Sequence, residues 1–176
     1  ASSKNLIEWQ RHGVLLEESN KDASLFSRKI ADRYWMFHRR PPSIWLAASG
    51  DLMTWGDHRE VMAPVEDSRW ENLKIGIAGP PIETEDGWLL IYHGVNHEKE
   101  YRLGAALLDR EDPGQVLARL PDPILEPELD WEREGHVPNV VFSCGQVVLG
   151  ETLIVYYGGA DTVIGAAAVR MSDIQF

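Results

Sequence analysis

The sequence predicts an all-β protein made of about three β-propeller blades, and three observations carry the prediction. One pattern recurs three times: an apolar β-rich strand, a short polar or glycine turn, then a second strand rich in small residues. It runs from Arg33 to Ser49 (RYWMFHRRPPSIWLAAS), from Gly87 to Leu108 (GWLLIYHGVNHEKEYRLGAALL) and from Glu151 to Val169 (ETLIVYYGGADTVIGAAAV). The 15 Gly, 10 Pro and 7 Trp among 176 residues suit many short elements joined by tight turns better than a few long helices. Finally, Asp86-Gly87 and Gly150-Glu151 separate strand-like runs, and residues tolerant of positive φ at such places mark hairpins.

Taking Trp35, Leu89 and Leu153 as equivalent, the repeats are 54 residues apart (35 to 89) and then 64 (89 to 153). That slightly exceeds the ~40–50 residues of a four-stranded blade and leaves room for loops. Each repeat follows a further apolar strand, at Ala23 to Ile30, Pro80 to Thr84 and Val140 to Val148. Outer strands are expected at Arg59 to Ala63 and Val116 to Ala118. Asn5 to Leu16 reads as the outer strand of a blade whose other strands lie upstream. The expectation is one partial domain over 1–176, incomplete at its N-terminal side, with blade repeats near 17–65, 74–126 and 136–176. The small residues Ala47-Ala48, Gly104 to Ala106 and Gly165 to Ala168 are expected where inner strands crowd toward the axis. A β-sandwich shares this alternation and turn spacing, but it does not require internal repetition. Three blades do not close a ring, and open strand edges predict self-association, most simply as a homo-oligomer.

Composition narrows the function. A net charge of −11 gives a field of the wrong sign for nucleic acid or an acidic membrane, so any anion must be captured locally. The single cysteine, Cys144, excludes an internal disulfide and a cysteine-built metal site; it is expected to be a small buried hydrophobe, in a cytoplasmic protein. No run of 18 apolar residues is present. Phosphate-loop, dinucleotide and zinc spacings are also missing, so neither cofactor nor metal is expected.

Polar residues gather where the inner strands end. His38-Arg39-Arg40 ends one strand, His93 ends its counterpart, and Asp161 lies in the equivalent turn of the third repeat. Lys21 and Asp22 open the first strand of one blade and Lys74 that of the next. Lys21, Arg39, Lys74 and His93, with Tyr101 just beyond, form a candidate cluster for a small polyanion such as phosphate: Arg binds it bidentately, Lys adds a point charge and Tyr a neutral donor. Read singly, lone Lys and Arg are usually solvated, and Tyr101 also fits a core residue with its hydroxyl at the rim. Asp161, within Gly158-Gly159-Ala160-Asp161-Thr162, either accepts two sugar hydroxyls or simply shapes its turn. Asn139, within His136-Val137-Pro138-Asn139, either lines the mouth or shapes a loop.

The segments NKDASLF (Asn20 to Phe26), LKIGIAGPP (Leu73 to Pro81), EDGWLLIYHGV (Glu85 to Val95), YRLGAALLD (Tyr101 to Asp109), GHVPNVVFSCG (Gly135 to Gly145) and YYGGADT (Tyr156 to Thr162) together resemble the mannoside phosphorylases of glycoside hydrolase family 130. The resemblance implies a five-bladed propeller that cleaves β-mannosides with inorganic phosphate, with inversion, releasing α-mannose 1-phosphate. It implies that Lys21, Arg39, Lys74, His93 and Tyr101 surround phosphate or the sugar beside it. Asp161 would hold the sugar, with Asp22 and Asn139 beside it. The family's general acid is an Asp in a Glu-Asp-Pro-Arg-like motif, and nothing before Lys21 resembles it; the acid is therefore expected upstream. Two alternatives stay open: an inactive carbohydrate-binding or assembly module, and a hydrolase using carboxylates such as Glu83 or Glu85.

Overall fold

The computed structural model describes residues 1–176, and its strands fall into three antiparallel sheets. The first sheet runs β1 (Ser24–Leu25), β2 (Tyr34–Arg40), β3 (Ser43–Ser49) and β4 (Gly56–Met62), in spatial order β1-β2-β3-β4. The second contains β5 (Lys74–Ile77), β6 (Ile82–Glu83), β7 (Trp88–Val95), β8 (Tyr101–Leu108) and β9 (Val116–Arg119), ordered β5-β7-β8-β9 with β6 also on β7. A short helix, α1 (Asp130–Arg133), precedes the third: β10 (Val141–Leu149), β11 (Thr152–Gly159) and β12 (Val163–Arg170). These are three propeller blades laid side by side.

Turn chemistry sets the hairpins. Ala31 and Asp32, both with positive φ, turn the chain so that Ile30 bridges Arg33. Ala160 and Asp161 do the same between β11 and β12, closed by Thr162 N–H on the Gly159 carbonyl. Two successive left-handed residues match the right-handed strand twist, and Asp tolerates that conformation. The first strand of the middle blade is split. β5 pairs with the end of β7 and β6 with its start, because Gly79-Pro80-Pro81 interrupts the ladder between them.

Two apolar seams join the blades. Phe37, Ile44, Leu46, Ile75, Trp88 and Leu90 fill the first, between the first and second sheets. Leu89, Ile91, Leu103, Val141, Leu153 and Val155 fill the second. Strand side chains alternate in direction, so β7 serves both seams and all eight of its residues are buried. The far face of the last sheet has no blade against it: Tyr156 is 50% and Ile164 85% exposed.

A tryptophan and a glutamate pin each of the later blades. Trp70 lies 5.7 Å from the Tyr92 ring, and Glu71 accepts a 2.8 Å hydrogen bond from the Tyr92 hydroxyl. Trp131 stacks 5.8 Å from Tyr157, and Glu132 accepts from the Tyr157 hydroxyl at 2.6 Å. Gly104 and Gly165 provide the space, since a Cβ at either would collide with the indole and the tyrosine ring. This corrects two expectations. Tyr92 corresponds to Tyr157, so the residue equivalent to Leu89 is Ile154 and not Leu153. The small residues of β3, β8 and β12 lie on strands two removed from the innermost and not at the axis, and two of them, Gly104 and Gly165, admit neighbouring aromatic rings.

Candidate active site

The ends of the inner strands converge on one polar cavity of about 240 Å³, lined by Lys21, Arg39, His93, Tyr101, Val137, Val140, Phe142 and Asp161. Each side chain arrives from a different element. Lys21 precedes β1, Arg39 lies near the end of β2 and His93 near the end of β7. Tyr101 opens β8, Phe142 is on β10, and Asp161 sits in the β11–β12 turn. A larger apolar cavity, of about 470 Å³ beside Leu103, Leu125, Val155 and Ile174, offers no comparable gathering of polar groups.

Arg39 is held by Asp22, whose Oδ2 lies 2.9 Å from its Nη1, with both side chains about 10% exposed. Asp22 adopts a left-handed backbone, φ 57°, a conformation Asp accepts more readily than most residues. Its Oδ2 is also 3.9 Å from His93 Nε2. Gly76 on β5 lets these groups approach, since a Cβ there would strike both the His93 ring and the Asp22 carboxylate. Lys74 places its ammonium 5.3 Å from the centre of the Tyr101 ring. The His93 ring lies 4.8 Å from that of Phe142 and 6.0 Å from that of Tyr101.

His93 is fully buried, yet neither ring nitrogen has a hydrogen-bond partner, and Arg39 Nε is likewise unpartnered. Burial, reinforced by Arg39, Lys74 and Lys21, pushes the His93 pKa down to about 3. The imidazole is therefore neutral at pH 7 and can both donate and accept. Buried polar groups are ordinarily satisfied, so unpaired donors at a cavity wall are positioned for a polar ligand.

The structure thus brings Lys21, Arg39, His93, Tyr101 and Asp161 to one cavity, with Asp22 and Lys74 supporting them. Asn139 stands apart. It lines a separate polar cavity with Glu100, Arg102 and Arg133, and its carbonyl accepts from the Tyr101 backbone N–H at 3.0 Å. Cys144 is exposed and not buried as expected. A register shift between Ser143 and Gly145 turns Ser143 inward instead, where its hydroxyl donates to the Tyr156 carbonyl at 2.7 Å. Glu83 is tied to Arg28 and Arg110. Glu85 lines another cavity, beside Phe176. Neither carboxylate faces the mouth, which removes the basis for a hydrolase using them. Sequence reasoning missed Phe142 and the Asn20 side chain, which faces His38 behind the cavity.

Blades that gather cations, aromatics and one carboxylate around a single mouth define a propeller with a polar cavity at its end. The chain belongs to glycoside hydrolase family 130: the family model described as beta-1,4-mannooligosaccharide phosphorylase matches residues 1–175. It is 59% identical, over all of its length and 59% of the relative, to a 1,2-beta-oligomannan phosphorylase of Thermoanaerobacter sp. (strain X514). A beta-1,2-mannobiose phosphorylase of the same strain is 56% identical over 99% of this chain and 57% of its own length. Among solved structures, the Listeria innocua beta-1,2-mannobiose phosphorylase in complex with beta-1,2-mannobiose superposes with a TM-score of 0.94 at 38% identity. That match covers 97% of this chain and 50% of the other. The chain spans between half and three fifths of these relatives.

Proposed function

We propose that these blades form the phosphate and sugar cradle of a β-mannoside phosphorylase, which transfers the mannosyl group to inorganic phosphate with inversion and yields α-mannose 1-phosphate. The observation that carries the reading is the convergence of Lys21, Arg39, His93, Tyr101 and Asp161 on one cavity in a net acidic protein. In the proposed reaction a phosphate oxygen forms the new bond to the anomeric carbon as the bond to the leaving oxygen breaks, and that oxygen takes a proton from a general acid. Phosphate is already anionic, so the protein orients it and balances its charge without a base to generate it. Arg39 and Lys21 supply that charge, with Lys74 behind Tyr101. Neutral His93 and the Tyr101 hydroxyl add directed bonds, and Asp161 receives sugar hydroxyls. Asn139 is retained as a sugar-side residue acting from its own cavity.

Asp22 is engaged with Arg39, so the proton on the leaving oxygen is assigned to an acid outside these 176 residues. Alone, the blades bind phosphate and sugar without turnover. The names of the relatives at 59% and 56% identity favour a β-1,2-linked substrate. The bare face around Tyr156 and Ile164 favours self-association of the isolated chain. No helix is long and apolar enough to cross a membrane, and a cytoplasmic site of action is proposed from the cysteine usage.

Calorimetric titration of the chain with inorganic phosphate tests the cradle. Replacing Arg39 and Lys74 together by Ala is expected to abolish binding, and unchanged binding in the double variant would sink the proposal. Phosphate-dependent release of mannose 1-phosphate by the pure chain would instead refute the external acid.

A further inference from the structure

We propose that His38 and His58 are positioning residues for the anion site, acting through Asn20 to fix the segment that carries Lys21 and Asp22. The inference rests on the phosphate reading of that site. It starts from a weakness in the fold: Lys21 and Asp22 lie in the loop before β1, and Asp22 holds a left-handed backbone. Such a loop keeps a charged pair in place only if something outside it defines its path.

Asn20 supplies that definition. Its Oδ1 accepts the Arg39 backbone N–H at 3.1 Å, which directs its Nδ2 toward His38 Nδ1 at 3.0 Å. Only the oxygen of the carboxamide can accept, so Nδ2 must donate and His38 Nδ1 must accept. The His38 proton therefore sits on Nε2, 3.0 Å from His58 Nδ1, which accepts it in turn. Every donor in this chain of bonds has one assigned acceptor, and His38 is fully buried. Burial first, then His58 and Arg40, lowers the His38 pKa to about 4. Nδ1 thus remains an acceptor at neutral pH.

The blade repeat independently singles out this position. His38 is cross-strand partner to Trp45, as Tyr92 is to Gly104 and Tyr157 to Gly165. In the later blades the tyrosine bonds a glutamate and the glycine admits a tryptophan. The first blade breaks both halves of that rule. Its buried polar residue is turned to the loop bearing Lys21 and away from a seam.

The test uses phosphate titration of the 176-residue chain with amide hydrogen exchange. Asn20→Ala and His58→Leu are expected to weaken phosphate binding about tenfold, equivalent to ~1.4 kcal/mol, and to speed exchange of the Arg39 amide. His58→Asn keeps an acceptor near the Nδ1 position and is expected to bind within about twofold of the parent, a difference of under ~0.5 kcal/mol. Because His58 is on the outer strand β4 and partly exposed, these variants should fold, which thermal melting checks. Parent-like binding in Asn20→Ala and His58→Leu, with binding lost in Arg39→Ala, overturns the positioning role and leaves the site intact. Equal loss in His58→Leu and His58→Asn also overturns it, since packing rather than the accepted bond would then matter. Parent-like binding in Arg39→Ala removes the phosphate site itself, and this inference with it.

Discussion

Tyr92 and His93 are consecutive residues of β7, both fully buried, and their surroundings differ in kind. Tyr92 faces the first seam. Its hydroxyl donates to Glu71 Oε2 at 2.8 Å and accepts from Arg119 Nε at 3.0 Å, while Arg119 also bonds Glu71 at 2.5 Å and the Ala63 carbonyl at 2.8 Å. His93 faces the cavity, and both its ring nitrogens lack a partner. A closed network of this kind holds two blades in register. An open one at a cavity wall carries an unmet desolvation cost that a polar ligand relieves. The difference separates residues that build the propeller from residues that serve its mouth.

Breaking the closed network should produce the largest effect. Glu71→Ala leaves Arg119 and the Tyr92 hydroxyl partly unpaired within the seam, and loss of one partner from a buried pair costs about 3 kcal/mol or more. For a chain of this size that is a fall of roughly 6–12 °C in Tm. Phosphate affinity of the folded fraction should stay at the parent value, since Glu71 lies outside the cavity. Gly104→Ala attacks the same seam by volume. Its methyl group would press on Trp70 and Tyr92, and overpacking of this kind costs about 1–3 kcal/mol, again without touching phosphate. Denaturant titration beside calorimetry distinguishes both from a site effect.

His93→Leu should invert that outcome. The substitution removes two unpartnered nitrogens, so stability should hold or rise, while phosphate affinity falls about tenfold, or ~1.4 kcal/mol. It should also change the pH response. His38 and His93 both have pKa values lowered by burial, to about 4 and about 3. The folded chain therefore binds fewer protons than the unfolded chain as pH drops below the ordinary histidine value of about 6.5, and stability is lost on acidification through that window. His93→Leu should flatten the stability slope between about pH 6 and 5 by up to one proton's worth, ~1.4 kcal/mol per pH unit. An unchanged slope would place a ligand, or a charge stabilising the imidazolium, at His93 in solution.

The sequence makes one side of this comparison easier to read than the other. The meeting of Lys21, Arg39, His93 and Asp161 at one cavity is legible from strand ends alone, because a propeller brings equivalent ends to one mouth. The seam partners are not, although they leave a clear trace: Trp9-Gln10, Trp70-Glu71 and Trp131-Glu132 recur every 61 residues. That period carries Tyr92 to Leu153, whereas Tyr157 lies 65 residues on, so the tryptophan–glutamate pairs mark the blades without setting the register of their strands. The consecutive tyrosines 156 and 157 allow a shift of one residue, which exchanges the two faces of a strand. Alternation assigns side chains to faces without saying how far a strand lies from the axis, hence the misplaced small residues of β3, β8 and β12. Nor does it reveal a bulge, so Cys144 was assigned to the inside.

Removing one oxygen atom at a time gives the smallest and sharpest test. Tyr92→Phe deletes a hydroxyl bonded to Glu71 and Arg119, and should lower stability by about 1 kcal/mol with no effect on phosphate. Tyr101→Phe keeps the ring that Lys74 and His93 approach and removes only its hydroxyl. No hydrogen bond from that hydroxyl to another protein group is present, so stability should move by less than ~0.5 kcal/mol. Phosphate affinity should fall by about 1 kcal/mol, the ordinary value of one directed bond. Two identical chemical changes, nine residues apart, would then separate completely, one appearing only in denaturation and the other only in titration. Loss of stability in Tyr101→Phe would move that residue to the structural side and leave His93, Arg39 and Lys21 to bind the anion without a neutral donor from β8.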